Sequence, residues 1–303
     1  MSIPSGGTSV TRRPTILVTG AQGQIGYELV RLLAPHGDVV ATDRATLDLA
    51  DPDAIVAAVR RAKPALIVNA GAYTAVDLAE REQALARAVN GRAPGILAEE
   101  AKRLGAVLIH YSTDYVFDGT RTTPYPEDAP TAPQNVYGVS KLEGERAIVA
   151  SGAHALVLRT SWVYGLRGRN FLLTIRRLAA EREEITVVAD QTGVPNWSRV
   201  LAAATVRIVG AGLPAVAERA GLYHLSCTGQ ASWYDFARAI LGDAPRPRIV
   251  PITTAEYPTP ARRPAYGVLA TSRFTATFGF TLPDWREALA SCVASPAAPP
   301  RSA

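Results

Sequence analysis

Residues 15–33 read TILVTGAQGQIGYELVRLL and carry the signals of one structural unit. The first five residues form an apolar run typical of a buried strand, and from Gln24 onward the apolar residues recur at helical spacing. Three glycines separate the two segments in the pattern G-x-x-G-x-x-G: Gly20, Gly23 and Gly26. Glycines in such a turn allow a tight bend, close approach of the backbone to a pyrophosphate, and close packing of the helix on the sheet. The stretch therefore predicts a strand, a dinucleotide-binding loop and a helix.

The same alternation of apolar runs and helical patterns continues through the first half of the chain. Further predicted strands are Asp38–Thr42, Ala65–Asn69, Ala106–Tyr111 and Leu156–Arg159. A helix is predicted after the cap Asp51 with Pro52 at its first position, and a longer one over Ala84–Leu104. Alternating strands and helices indicate a parallel sheet covered on both faces. The predicted fold class is thus α/β, a Rossmann-type doubly wound parallel sheet with a smaller C-terminal substrate-binding lobe.

The second half of the chain is less regular. Predicted helices there lie at Phe171–Glu181, after Ser198, at Trp233–Leu241 and after Pro283, and predicted strands at Ile185–Val188 and Tyr223–Leu225. We expect a flexible extension over 1–14, the dinucleotide-binding domain over 15–165, a mainly substrate-binding lobe over 166–294 and a flexible tail over 295–303. Some later segments are expected to rejoin the first domain.

Composition narrows the function classes. The net charge of +5 is mild and the basic residues are dispersed, which argues against a nucleic-acid partner but suits an anionic substrate. No apolar run suits a membrane span or a signal peptide, so we expect a cytoplasmic protein without a membrane partner. Cys227 and Cys292 are expected to be free buried thiols, and the four histidines form no cluster that predicts zinc.

A second motif predicts carbonyl chemistry. Tyr137 and Lys141 form Y-x-x-x-K, which places both side chains on one helical face. An ammonium beside a phenol favours the phenolate and eases proton delivery. Ser112 and Thr113 follow the fourth predicted strand, where a substrate carbonyl would lie. With a dinucleotide loop upstream, this set predicts hydride transfer to a ketone.

The acidic residue after the second strand leaves cofactor preference open. Asp43 is placed to bond the adenosine ribose hydroxyls, whereas the adjacent Arg44 would accept a 2′-phosphate. NADH and NADPH therefore both remain candidates, and Asp43 as a simple turn residue is the alternative.

Longer stretches resemble the dTDP-4-dehydrorhamnose reductase family of extended short-chain dehydrogenase/reductases. The similar stretches are VTGAQGQIGYEL (Val18–Leu29), IVNAGAYTAVDLAE (Ile67–Glu80), IHYSTDYVFDG (Ile109–Gly119), NVYGVSKLEGE (Asn135–Glu145), LRTSWVYG (Leu158–Gly165), TPARRP (Thr259–Pro264) and LPDW (Leu282–Trp285). The resemblance implies reduction of the C4 keto group of dTDP-4-dehydro-β-L-rhamnose to dTDP-L-rhamnose with NADPH or NADH.

The resemblance also implies roles for individual residues. Residues against the cofactor are Gly20, Gly23, Gln24, Ile25, Gly26, Asp43, Arg44, Asp48, Leu49, Ala70, Gly71, Ala72, Tyr137 and Lys141. Tyr137 would donate the proton, Lys141 would bind cofactor and tune Tyr137, and Thr113 would orient the keto oxygen. Residues toward the substrate are Thr113, Asp114, Trp162, Arg262 and Arg263. Trp162 would cover the sugar with its flat face, and the two arginines would clamp phosphates, a solvated basic turn being their alternative.

The resemblance further raises the question of magnesium. Some members bind magnesium through glutamates at a dimer interface, and Glu28 matches one of these. The second position falls at Arg199, which would repel a cation, so we expect no metal-bridged dimer and a solvated Glu28. A monomer or weak homodimer is expected.

Two alternatives to this function stay open from sequence. The chain could reduce another nucleotide-linked 4-keto-6-deoxysugar, or it could be a non-catalytic subunit like the regulatory subunit of methionine adenosyltransferase, which resembles this family.

Overall fold

The computed structural model describes residues 13–242 and 246–296. A six-stranded sheet forms its centre, and the strands of this sheet, all parallel, are β1 (Thr15–Thr19), β2 (Asp38–Ala41), β3 (Leu66–Asn69), β4 (Val107–Thr113), β5 (Ala155–Thr160) and β10 (Gly221–His224). Their spatial order is β10-β5-β4-β3-β1-β2. The doubly wound prediction is confirmed, and β10 is the later segment that completes the sheet.

Helices cover both faces of the sheet. They are α1 (Gln24–Leu33), α2 (Pro52–Ala62), α3 (Val76–Ala79), α4 (Gln83–Arg87), α5 (Ala93–Leu104), α6 (Val136–Ser151), α7 (Phe171–Glu181), α8 (Ser198–Val209), α9 (Leu213–Glu218), α10 (Trp233–Leu241), α11 (Ser272–Phe278) and α12 (Trp285–Ala294). A π-helical turn (Ala88–Arg92) joins α4 to α5, and 3₁₀ turns lie at Asp114–Val116 and Thr254–Glu256. Asp51 caps α2 with Pro52 at its first position, as predicted.

Successive side chains of each strand point to opposite faces of the sheet, which gives the protein two cores, one on each face. In β1, Ile16 and Val18 face a core shared with α1 and α8, whereas Leu17 faces the core formed with α2, α5 and α6. Because both faces are apolar, the strands read as continuous hydrophobic runs in sequence.

The later part of the chain adds short paired strands. They are β6 (Val163–Tyr164) with β9 (Asn196–Trp197), β7 (Glu184–Val188) with β12 (Arg248–Ile252), and β8 (Thr192–Gly193) with β11 (Ala231–Ser232). Most of these strands fall within 166–294, and the substrate-binding lobe expected there stays a prediction. The predicted extension and tail lie outside the described residues, apart from residues 13–14 and 295–296.

The described part of the chain has neither a membrane-spanning helix nor a disulfide between its two cysteines. Within the described ranges, no helix is both long and apolar enough to cross a membrane. Cys227 and Cys292 are free and buried, as predicted.

Candidate active site

The carboxyl ends of neighbouring strands bring the predicted residues to one edge. Strand pairing sets Thr19 beside Asn69, and Asn69 beside His110. Thr113, the last residue of β4, pairs with Thr160 at the end of β5. The loops that follow these strands therefore meet, which is where open α/β sheets bind ligands.

The glycine loop forms a cradle that larger residues would fill. Gly20 has φ +66°, and a Cβ atom there would lie 2.6 Å from the Cα of Gly71. A Cβ on Gly26 would lie 2.1 Å from the carbonyl oxygen of Gly20. No side chain caps the first turn of α1, so its amide groups are free to bind an anion. This open, glycine-lined helix terminus fits the pyrophosphate of a dinucleotide.

The loops after β2 and β3 border the same cradle. A Cβ on Gly71 would lie 2.6 Å from the Cδ1 of Leu49, so the two loops are in contact. Asp43 accepts hydrogen bonds at Oδ1 from the amides of Ala45 and Thr46, each at 3.1 Å, and so closes a turn. Arg44 beside it is exposed. Asp43 is therefore a turn residue in this structure, while its contact with a ribose stays a prediction.

Other predicted cofactor residues have protein partners in this structure. Asp48 accepts from the amide of Ala50 at 2.9 Å. Gln24 accepts from Asn170 at 2.9 Å and donates to the carbonyl of Val163 at 3.3 Å. These bonds tie the glycine loop to the segment after β5. These bonds have no signature in the sequence, because the partners of Gln24 lie 139 and 146 residues away along the chain.

Local sequence explains how Tyr137 reaches Thr113. Asn135 caps α6 by accepting from the amide of Gly138 at 2.8 Å. A Cβ on Gly138 would lie 2.2 Å from the carbonyl oxygen of Tyr115, so glycine lets α6 begin directly against the turn after β4. The Tyr115 ring packs edge-on against Tyr137, with centroids 5.6 Å apart. Tyr137 is half-buried and Thr113 is buried.

The electrostatics of the tyrosine differ from the prediction. Burial raises the pKa of Tyr137 to about 12, an effect that the nearby Thr113 hydroxyl opposes and Asp114 reinforces. Lys141 is not among the groups that shift the pKa of Tyr137. Its ammonium points elsewhere, because Nζ donates to the carbonyl of Tyr111 at 2.6 Å and lies 3.2 Å from Nε2 of His110.

Lys141 itself is almost fully enclosed, with 2% of its surface exposed. Burial lowers its pKa to about 8, and the nearby Glu145 raises it. Glu145 is in turn held by Arg159 at 2.7 Å and by Ser112 at 2.5 Å. Ser112, predicted at the strand end beside the carbonyl, is thus committed to this buried ion pair.

Asp114 is a second unusual acid at the site. Its Oδ1 accepts from the Thr113 hydroxyl at 3.1 Å, and within the described residues its buried Oδ2 has no partner. Burial raises the pKa of Asp114 to about 7. A carboxyl group that is partly protonated near neutrality therefore lies next to the hydroxyl predicted to hold the keto oxygen.

The structure places Trp162 in a stack that the sequence did not reveal. Its ring lies parallel to Trp233, with centroids 3.5 Å apart and planes 9° apart. A Cβ on Gly193 would lie 2.5 Å from the Cε2 of Trp162, so the backbone of β8 also lies against this indole. Trp162 has φ +41°, a conformation rare for a bulky residue. One face of Trp162 is thus covered by Trp233, and its contact with a sugar stays a prediction.

The two loop arginines have different surroundings, and their role as a phosphate clamp stays a prediction. Arg263 donates to both carboxylate oxygens of Asp77, at 2.8 and 3.0 Å, and so joins the loop before Pro264 to α3. Arg262 is exposed, and its carbonyl accepts from Asn135 at 2.7 Å. Arg263 is therefore anchored by a carboxylate, while Arg262 has an exposed side chain.

The prediction of a solvated Glu28 is wrong. Glu28 is buried, and Arg199 donates to its two oxygens at 3.0 and 3.4 Å. Because the guanidinium group of Arg199 is bound to the carboxylate of Glu28, this pair does not fit a magnesium site. Among the described residues, no group of three or more His, Cys, Asp or Glu side chains could hold a metal ion.

The class of protein follows from where these parts lie. A dinucleotide cradle and a tyrosine–lysine pair share one edge of a doubly wound sheet, which is the arrangement of a Rossmann-type oxidoreductase. Residues 14–297 match the family model described as the RmlD substrate binding domain. The chain belongs to the dTDP-4-dehydrorhamnose reductase family, as the sequence motifs predicted.

Individual relatives agree with this assignment. A dTDP-4-dehydrorhamnose reductase of Burkholderia thailandensis is 50% identical, covering 92% of this chain and 97% of its own. A Streptomyces antibioticus protein, named a probable dTDP-4,6-dihydroxy-2-methyloxan-3-one 4-ketoreductase, is 45% identical over 90% of this chain and 92% of its own. A crystal structure of the Bacillus anthracis dTDP-4-dehydrorhamnose reductase in complex with NADP superposes with a TM-score of 0.87, at 35% identity, covering 93% of this chain and 99% of the other.

Proposed function

We propose that this chain reduces the C4 keto group of dTDP-4-dehydro-β-L-rhamnose to dTDP-L-rhamnose, with NADPH or NADH as reductant and Tyr137 as proton donor. The single observation that carries the proposal is that Thr113, with Tyr137 near it, ends β4 at the same end of the parallel sheet where the glycine loop follows β1. The family relationship supplies the substrate class.

The cofactor would be held by the glycine loop and the loops after β2 and β3. Free amides at the start of α1 would bind its pyrophosphate, and Gly20 and Gly26 leave the room it needs. When bound, the nicotinamide supplies the hydride. Arg44 is exposed at the end of β2, where it is available to a 2′-phosphate.

Tyr137 is suited to give up a proton in the reductive direction. With its pKa raised to about 12, the phenol is protonated at neutral pH. Thr113 would turn its hydroxyl from Asp114 to the keto oxygen, and both hydroxyl groups would then stabilise the developing alkoxide. The ammonium of Lys141, held one helical turn from Tyr137, would stabilise the phenolate that remains.

The substrate would lie between this edge and the smaller lobe. We propose that the Trp162–Trp233 stack, Asp114 and the Arg263–Asp77 pair border that space and contact or position the nucleotide sugar. Because Trp233 covers one of its faces, Trp162 would meet the sugar with its other face or its edge.

The decisive experiment is a spectrophotometric assay of the dTDP-keto-sugar with NADH and NADPH in parallel. We expect oxidation of at least one cofactor that depends on the sugar, and formation of dTDP-L-rhamnose. A purified, folded protein without such oxidation would contradict the proposal, and a synthetase that co-purifies with it would favour the non-catalytic alternative.

A second candidate substrate has one specific observation in its favour. The Streptomyces relative, named as a ketoreductase for a different dTDP-linked sugar, is nearly as similar as the named rhamnose enzymes. Fold and Tyr–Lys chemistry would be the same for both sugars, because the surrounding pocket alone discriminates between them. Competition between the two keto-sugars, compared as kcat/KM, distinguishes the candidates.

We further propose a cytoplasmic location and a monomer or weak homodimer.

A further inference from the structure

A row of buried polar side chains crosses the sheet beneath the cofactor loops. Thr19 of β1 contacts Asn69 of β3 (Oγ1–Oδ1 2.6 Å), and Asn69 contacts His110 of β4 (Nδ2–Nδ1 2.9 Å). His110 then reaches Lys141 of α6 (Nε2–Nζ 3.2 Å). The exposed fraction is 2% or less for all four residues. Buried polar groups are costly unless paired, so a continuous row of this kind is a specified feature of the fold.

Hydrogen-bond capacity shows what the row does for the lysine. An ammonium group has three protons to donate. In Lys141 one goes to the carbonyl oxygen of Tyr111 and one faces Nε2 of His110, which leaves one for Tyr137 or a bound ribose. The imidazole thus determines in which direction the remaining proton points.

The charge state of His110 follows from its surroundings. Burial, together with the neighbouring Lys141, holds the pKa of His110 well below its usual range. A neutral imidazole carries one proton, so Nε2 can accept from an ammonium only if the proton resides on Nδ1. Asn69 can then accept that proton only with its amide turned over, since the structure has its Nδ2 at Nδ1 of His110 and its Oδ1 accepting from Thr19. When Lys141 is an uncharged amine, the reverse holds, because Nε2–H can donate to its lone pair while the amide of Asn69 donates to Nδ1.

We propose that His110 is a positioning residue that keeps Lys141 charged and fixes its ammonium group, with one N–H left for Tyr137 or a bound ribose, and that its imidazole changes tautomer when Lys141 loses its proton. This rests on the proposed reductase function. A hydrogen bond accepted from the charged form of a group favours that form. His110 thereby opposes the effect that burial has on Lys141.

Other charged groups around the pair are fixed. Glu145 lies on the same helix as Lys141 and is paired with Arg159 of β5. Asp114 follows β4 and acts on Tyr137. None of these takes the place of the Nε2 acceptor, so removal of His110 should act on Lys141 directly.

The enzymatic test compares two substitutions at one position. His110→Leu removes the acceptor, and His110→Gln returns an amide oxygen of similar reach. We expect His110→Leu to shift the alkaline limb of the kcat–pH profile down by about one pH unit, and so to lower kcat by about twofold at pH 7 and about tenfold at pH 9, with KM little changed. In His110→Gln the alkaline limb should return most of the way to its position in the parent protein. His224→Gln is the matched control, since His224 is equally buried but its Nδ1 contacts the carbonyl of Ala270 instead.

A second measurement does not depend on turnover or on any variant folding. In ¹⁵N-histidine-labelled protein without cofactor, the His110 ring should change from the Nδ1–H to the Nε2–H tautomer as pH rises through the pKa of Lys141. A single tautomer throughout, or an alkaline limb of His110→Leu equal to that of the parent, would overturn the proposal. A parent protein that shows the tautomer change but no reductase activity would instead refute the proposed function alone.

Discussion

The cofactor side and the substrate side of this site are built in opposite ways. On the cofactor side, Gly20, Gly23 and Gly26 lie within one strand–loop–helix unit, where Gly23 and Gly26 approach the carbonyl oxygen of Gly20, and Gly20 in turn lies against Gly71 after β3. On the substrate side, Trp162 is stacked on Trp233, and Asp77 is paired with Arg263, 186 residues further along the chain. The cofactor side is assembled mainly by local sequence, and the substrate side by tertiary contacts. A single substitution should therefore abolish cofactor binding but only weaken substrate binding.

The largest effect is expected at Tyr137, where the two sides meet. Tyr137→Phe removes the proton donor while leaving the ring in place, and kcat should fall by about 10²- to 10⁴-fold with KM little changed. Steady-state kinetics with saturating cofactor measure this. Tyr115→Phe is the matched control, because its ring packs on Tyr137 without a proposed role in proton transfer. Full activity of Tyr137→Phe would remove the tyrosine from the mechanism.

A substitution in the glycine loop should abolish the cofactor side selectively. In Gly26→Ala the new methyl group would collide with the carbonyl oxygen of Gly20, 2.1 Å away, so loop and helix must separate. We expect the dissociation constant for NADPH, from quenching of tryptophan fluorescence, to rise by more than about tenfold. Gly210→Ala serves as control, since its nearest contact is an ordinary 3.4 Å. Equal affinity in both variants would show that the cradle is not the dinucleotide site.

The pH dependence reports on Lys141 between the two sides. Its pKa is lowered to about 8, so the ammonium is present below this pH and lost above it. If the ammonium is needed, kcat should fall about tenfold between roughly pH 7 and pH 9. Tyr137, with a pKa near 12, stays protonated over this range and should not contribute. A kcat that rises or stays level over the interval would contradict the role given to Lys141.

The smallest effect is expected at the Asp77–Arg263 pair. Both side chains are partly exposed, and such pairs contribute little stability. We expect Arg263→Ala and Asp77→Ala each to raise KM for the nucleotide sugar a few-fold, about 2- to 5-fold, with cofactor affinity unchanged. The double variant distinguishes two roles. If the pair only anchors the loop, it should resemble either single variant, whereas a direct phosphate contact makes Arg263→Ala clearly the worse of the two.

Predictability from sequence followed the same division. The helices Gln24–Leu33, Phe171–Glu181 and Trp233–Leu241 have the predicted bounds, because their apolar periodicity is local and the last two also have caps, Asn170 and Ser232, directly before them. The strand β4 runs two residues beyond its prediction, to Thr113, since pairing with β5 continues where the sequence turns polar. The strand β12 was missed, because its pairing with β7 has no local signature.

By itself, the sequence determined the class of this protein. Glycine spacing, apolar alternation and the Y-x-x-x-K step are short-range patterns, and each specifies a local backbone or one helical face. Only the tertiary structure decided the state of the side chains at the site: the Trp162–Trp233 stack, the buried Glu28–Arg199 pair, and the ammonium of Lys141 held by His110 rather than directed at Tyr137. Burial and the identity of the neighbouring groups set the pKa of each side chain and determine which of its surfaces remain free for a ligand. Burial and neighbours both depend on residues brought together from distant parts of the chain.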